Sequence, residues 1–233
     1  MGVIDIAART AELQARIAAA AARSGRQATA VRLVAAAKGR TPAEIDAALA
    51  AGVEVLGLNY VQEAEALRAE VTRPATWHMI GPLQRNKIGA ALRAFERIDT
   101  IHALRLAQGL DRRWRSEERA GQLPVLLAIR IGGEASKTGA DPDAAAELLA
   151  AVQLLGTLDC QGLMTMPPPG PPEECRRHFA ALRALAERLR VESGLALPVL
   201  SMGMSADFEV AIEEGATEVR LGTTLFGPRS SPG

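Results

Sequence analysis

The sequence predicts an α/β chain folded as a single (β/α)8 barrel with an extra N-terminal helix. Three observations lead there. Short β-rich runs alternate with longer stretches of helical periodicity, several of those runs are apolar with little alternation, and the 233 residues divide into eight such units. Strand–helix alternation implies parallel pairing, and strands covered on both faces are apolar throughout. Units of about 29 residues suit a compact barrel. A doubly wound open sheet is the alternative. The length is short for two ordinary domains, so residues 1–233 are expected to form one.

An amphipathic helix is expected first, over roughly residues 5–23. Strand runs follow at 31–36, 53–56, 76–80, 97–101, 124–131, 158–164, 198–201 and 217–221. Between them lie helical stretches at 42–51, 61–71, 87–95, 103–120, 142–155, 173–193 and 206–214. Pro42 and Pro142 sit in first turns, and Gly52, Gly121, Gly194 and Gly215 stand just past helix ends, the usual start and stop signals. The proline-rich stretch 167–172 is expected to be a rigid loop leaving the sixth strand.

Composition narrows the function. The 27 basic and 27 acidic residues cancel, so the global field that draws a chain onto nucleic acid or an anionic membrane is missing. Apolar stretches fall short of a membrane span, and Asp5, Arg9 and Glu12 interrupt any export signal, so a cytoplasmic chain is expected. Cys160 and Cys175 are too few for a disulfide frame or zinc site, and three scattered histidines add no metal spacing. With 3% aromatics, the core must be built from Ala, Val, Leu and Ile.

In a barrel of this kind, functional groups gather at the C-terminal ends of the strands. Lys38 closes an otherwise apolar first strand. Most such lysines are snorkelling surface residues, but desolvation at a barrel mouth favours the neutral amine, a Schiff-base nucleophile. After the eighth strand, the run Val219 to Thr224 is rich in small residues that free backbone N–H groups for an anion. The segment Ser201-Met202-Gly203-Met204-Ser205 adds two hydroxyls at the same corner, where this fold commonly binds phosphate. His78, on an apolar strand, is expected to be a hydrogen-bonded core histidine. The segment Gly132 to Gly139 superficially suggests a P-loop but carries Ser136 where the glycine before the lysine belongs. A Schiff-base lysine facing a phosphate corner suits pyridoxal 5′-phosphate and equally suits a class I aldolase acting on a sugar phosphate. Spacing alone does not separate the two.

The motifs in combination carry a resemblance that does. They are Ala37-Lys38, Gly57-Leu58-Asn59-Tyr60-Val61-Gln62-Glu63, Trp77-His78-Met79-Ile80-Gly81-Pro82-Leu83-Gln84, Gly162-Leu163-Met164, Leu200 to Ser205 and Val219 to Gly227, with Gly133 to Gly139 between them. From about Leu33 to Arg229 the sequence resembles the YggS/PROSC family of pyridoxal phosphate homeostasis proteins. The resemblance implies a barrel of pyridoxal phosphate fold type III, like the N-terminal domain of alanine racemase, with Lys38 forming the Schiff base. It further implies that Ser201, Ser205, Gly222 and Thr223 hold the phosphate, that Arg220 approaches the pyridine nitrogen and that Asn59 lies near the ring. Two departures stand out: Leu58 replaces a usual glutamate, and Gly39-Arg40-Thr41 differs from the common pattern.

An arginine against the pyridine nitrogen keeps that nitrogen unprotonated and the ring a weak electron sink. A racemase of this barrel also takes its second acid/base from a partner subunit and an added β domain, for which this chain has no room. The expected function is therefore binding and buffering of pyridoxal 5′-phosphate with little turnover, by a monomer that hands it to apo-enzymes. A small amino-acid racemase is the alternative and a class I aldolase the third choice.

Overall fold

The structure is a computed structural model and describes residues 4–132 and 139–228. Helix α1 (Ile6–Arg23) opens the chain, with the Asp5 carboxylate accepting from the Ala8 N–H at 2.9 Å as its cap. Eight strands follow: β1 (Arg32–Ala36), β2 (Val55–Leu58), β3 (Thr76–Met79), β4 (Arg97–Ile101), β5 (Leu123–Ala128), β6 (Leu158–Met164), β7 (Val199–Ser201) and β8 (Glu218–Leu221). All neighbours pair in parallel, and β8 returns to β1 with Val34 opposite Arg220. That pairing closes the barrel and rules out the open sheet.

The helices are α2 (Pro42–Ala50), α3 (Val61–Glu70), α4 (Ile88–Ala94), α5 (Leu104–Ser116), α6 (Ala145–Leu155), α7 (Pro172–Ser193), α8 (Phe208–Glu213) and the four-residue α9 (Thr223–Phe226). They bury one apolar layer against the outside of the sheet, and Ala35, Leu56, Ile98 and Val219 belong to it. Alternate strand residues face inward, as a period of two requires. A smaller apolar group of Leu126, Ala128 and Met164 lies apart from the outer layer. Among the described residues no helix is long and apolar enough to cross a membrane.

Several boundaries differ from the sequence expectation for physical reasons. β2 runs two residues further than 53–56 suggests, through Gly57. A Cβ at Gly57 would lie 2.8 Å from Ile80 Cδ1 and 3.0 Å from Val34 Cγ1, so this glycine is a close-packing position and not a strand breaker. α5 stops at Ser116 and not at 120, because Glu118 takes φ +50° and ends the helix before Gly121. β5 ends at Ala128, after which Ile129 keeps a single bridge to Ala140. The first turns expected at 87 and 142 are 3-10 turns, Arg85–Lys87 and Pro142–Ala144. α9 was not expected at all. Residues 133–138, within the P-loop-like segment, lie outside the described residues.

Candidate functional site

Lys38 follows β1 at the barrel mouth. Its predecessor Ala37 is buried in the outer layer, so strand alternation turns Lys38 towards the opening. The Lys38 ammonium donates to the Tyr60 hydroxyl at 3.4 Å and lies 4.9 Å from the centre of the Tyr60 ring.

Two contacts pin the loop behind the lysine. The Gly39 N–H donates to the Glu63 carboxylate at the start of α3. Arg40 is buried, stacks 5.2 Å from the Phe226 ring, and donates to the carbonyls of Phe226, at 3.3 Å, and Gly227. The departure at residues 39–41 thus has a structural role: Arg40 ties the lysine loop to the end of α9. Thr41 caps α2 reciprocally with Glu44.

Next to the lysine loop, where β8 pairs with β1, β7 and β8 end side by side. Gly203 holds φ +93°, where a Cβ would meet Ala211 Cβ at 2.6 Å. Its carbonyl accepts from the Arg220 N–H at 3.0 Å. Ser205 accepts from the Thr224 N–H at 3.3 Å, joining the two corner segments. Gly222 precedes α9, and a Cβ there would lie 3.1 Å from the Ala36 carbonyl. A side chain at Gly222 would crowd the Ala36 carbonyl, so glycine eases the close approach of this corner to β1.

Deeper inside, Arg220 is buried and donates to Ser201 Oγ and to the Thr165 carbonyl, both at 2.8 Å. Burial lowers its pKa from the ordinary arginine value, opposed by the charges of Asp99 and Glu218. Beneath it, Arg97 donates to Asp99 at 2.6 and 2.9 Å and to Glu218 at 3.0 Å, with a second, shorter bond to Glu218. His78 is buried as expected but lacks the expected hydrogen bond at Nδ1, which stands 3.8 Å from Asp99. Burial, aided by Arg97, holds the His78 pKa down to about 3, so the ring is neutral. His78, Asp99 and Glu218 come within 4.8 Å of one another, a spacing that metal ligands share. The Arg97 guanidinium already supplies the cation between these carboxylates.

Of the site residues expected from sequence, Ser201 and Arg220 meet each other, while Ser205 bonds to the Thr224 N–H next to Thr223 and Lys38 meets Tyr60. Asn59 sits beside Tyr60, its backbone packed against Gly81. The roles of Tyr60, Thr165 and Arg40 escaped sequence reasoning. A lone tyrosine one residue from Asn59 was the only signal for the first.

Residues 9–230 match the family model of the alanine racemase N-terminal domain. The chain is 42% identical to the pyridoxal phosphate homeostasis protein of Pseudomonas aeruginosa, over 96% of each chain. It belongs to that family. Solved structures agree: PipY of Synechococcus elongatus, solved without pyridoxal phosphate, superposes with a TM-score of 0.85 at 34% identity, over 95% of this chain and 100% of that one. The form with pyridoxal phosphate bound gives 0.82 at 35%, with the same coverage. Alanine racemase of Corynebacterium glutamicum shares the fold, with a TM-score of 0.69 at 20% identity, over 95% of this chain and 59% of that one. Within this homeostasis-family barrel, Leu58 is fully buried in the outer apolar layer, so the residue in the glutamate's place contributes packing.

Proposed function

We propose that the protein binds pyridoxal 5′-phosphate at the barrel mouth and acts in its homeostasis, carrying it as a Schiff base on Lys38 without robust turnover. The names of its relatives and the pyridoxal phosphate in PipY support the reading. The residues fit the group. Gly222 packs its bare backbone against Ala36, Ser205 bonds to the Thr224 N–H beside it, and Lys38 follows β1 at the same end of the barrel. Asn59 lies beside Tyr60, where it can border the ring.

When bound, the group supplies an aldehyde that condenses with a primary amine and a ring able to take up electrons from that linkage. Lys38 provides the amine. Ser201, Ser205, Gly222 and Thr223 would hold the phosphate through hydroxyl and backbone donors. Arg220 carries the argument against turnover. Its two acceptors, Ser201 Oγ and the Thr165 carbonyl, are both neutral, so its positive charge remains beside the ring nitrogen and opposes a second proton there. Carbanion chemistry is thereby handicapped. We read the chain as a monomer and a single domain that releases its cargo to apo-enzymes needing it.

The test is borohydride reduction of protein loaded with pyridoxal 5′-phosphate, followed by peptide mapping. The pyridoxyl mass is expected on Lys38. Its appearance on Lys87 or Lys137 instead would overturn the assignment.

A further inference from the structure

Only three of the 27 basic residues are lysines, Lys38, Lys87 and Lys137. Everywhere else the chain places arginine where it needs a positive charge. Lys87 is the N-cap residue of α4 and provides no side-chain cap. A cation at a helix N-terminus is opposed by the helix dipole, so Lys87 does not serve that helix. Among the described residues its ammonium has no hydrogen bond or ion pair.

Lys87 instead lines a cleft of ≈ 290 Å³ beside the mouth. The cleft takes its polar lining from Asn59, Tyr60, Gln62, Gln84 and Lys87, and no carboxylate borders it. One cation with amide donors and no acid suits a small anion. The cleft shares Tyr60 with the lysine site, and the Tyr60 hydroxyl is within 3.4 Å of Lys38 Nζ. An occupant of the cleft therefore lies against the residue whose hydroxyl touches the reactive amine.

We propose that this cleft is an acceptor subsite for an α-amino acid, whose carboxylate pairs with Lys87 while its amine reaches across Tyr60 to the Lys38 linkage. The inference rests on the carrier reading. In the exchange, a bond from the aldehyde carbon to the incoming nitrogen forms as the bond to Lys38 Nζ breaks. The double bond is exchanged whole, both protons of the incoming amine pass to Nζ, which leaves as a free amine, and nothing is oxidised or reduced. The protein would thus release its cargo preferentially to amines bearing a carboxylate.

The experiment compares L-alanine with ethylamine, at equal concentrations of unprotonated amine, as releasing agents for protein loaded with pyridoxal 5′-phosphate. Borohydride quenching and peptide mapping report what remains on Lys38. Alanine is expected to release about tenfold faster, the worth of one charge-assisted hydrogen bond from the Lys87 ammonium to the carboxylate. In Lys87→Gln the ratio of the two rates is expected to fall close to one, and Lys87→Arg is expected to restore most of it. An independent readout uses the unloaded protein with its lysines reductively ¹³C-methylated, where propionate is expected to move the Lys87 resonance. If borohydride fixes nothing on Lys38, the carrier reading itself fails. If Lys38 is labelled but the two amines release equally fast and propionate leaves the Lys87 resonance in place, the acceptor subsite alone is wrong.

Discussion

Arg220 and Ser201 meet inside the barrel through a 2.8 Å hydrogen bond from Nη1 to Oγ, with both side chains buried. Ser201→Ala would leave one guanidinium donor without its partner while Thr165 keeps the other. A hydrogen bond to a charged group contributes about 1.5–3 kcal/mol, and a comparable loss of stability is expected in urea denaturation of unloaded protein. A loss below about 0.5 kcal/mol would mean that water replaces the hydroxyl.

The phosphate corner proposed at the ends of β7 and β8 predicts a different signature. Ser205→Ala is expected to weaken pyridoxal 5′-phosphate binding by roughly one to two decades, the equivalent of one bond to a charged group. Pyridoxal, lacking the phosphate, should bind more weakly still. Equal affinity for pyridoxal and its phosphate, measured by titrating absorbance, would refute the corner as a phosphate cup.

The ion network below predicts non-additivity. Glu218→Gln strips Arg97 of one buried carboxylate, and breaking such a pair typically costs about 3–5 kcal/mol. Replacing the group together, as Arg97→Leu with Asp99→Asn and Glu218→Gln, is expected to cost less than the sum of the three single changes. Strict additivity in denaturant melts would show that the charges act separately.

His78 predicts the pH behaviour. Its folded pKa is depressed to about 3 from the ordinary histidine value of 6.5, so the unfolded chain binds the extra proton between those values. Stability is therefore present in full above about pH 6.5 and falls as pH drops towards 3, by roughly 4 kcal/mol from this one group. His78→Gln should flatten the slope of unfolding free energy in that window by up to one proton. An unchanged slope would place the histidine in contact with water.

Turnover predicts the last outcome. On the proposal that Arg220 stands beside the ring nitrogen, loaded protein incubated with L-alanine in deuterated water is expected to show no exchange of the α-hydrogen at a catalytic rate. Sustained, Lys38-dependent racemisation near the usual 1 to 10³ per second would replace the carrier reading with a racemase.

The succession of strands and helices was legible in the sequence because its signals are local. Apolar strands, Pro42 at a helix start and Gly194 at a helix end act within a few residues of themselves, and they recur in strict alternation. Lys38, Ser201, Ser205 and Gly222 stood out for the same reason, as polar or small residues where apolar strands stop. The relation between them was not local. Arg40 reaches carbonyls 186 and 187 positions away, and Arg97 reaches a carboxylate 121 positions away. No periodicity encodes such separations. Closure of β8 onto β1 brings them together, and desolvation inside the closed barrel then decides which charges must pair and holds His78 neutral. Local pattern therefore carried the strands, their succession along the chain and the lysine at the first strand's end, and left the closed barrel and the open sheet both possible. Only the tertiary structure decided that Tyr60 touches that lysine and that neutral acceptors hold Arg220, since both follow from which strand ends become neighbours when the barrel shuts.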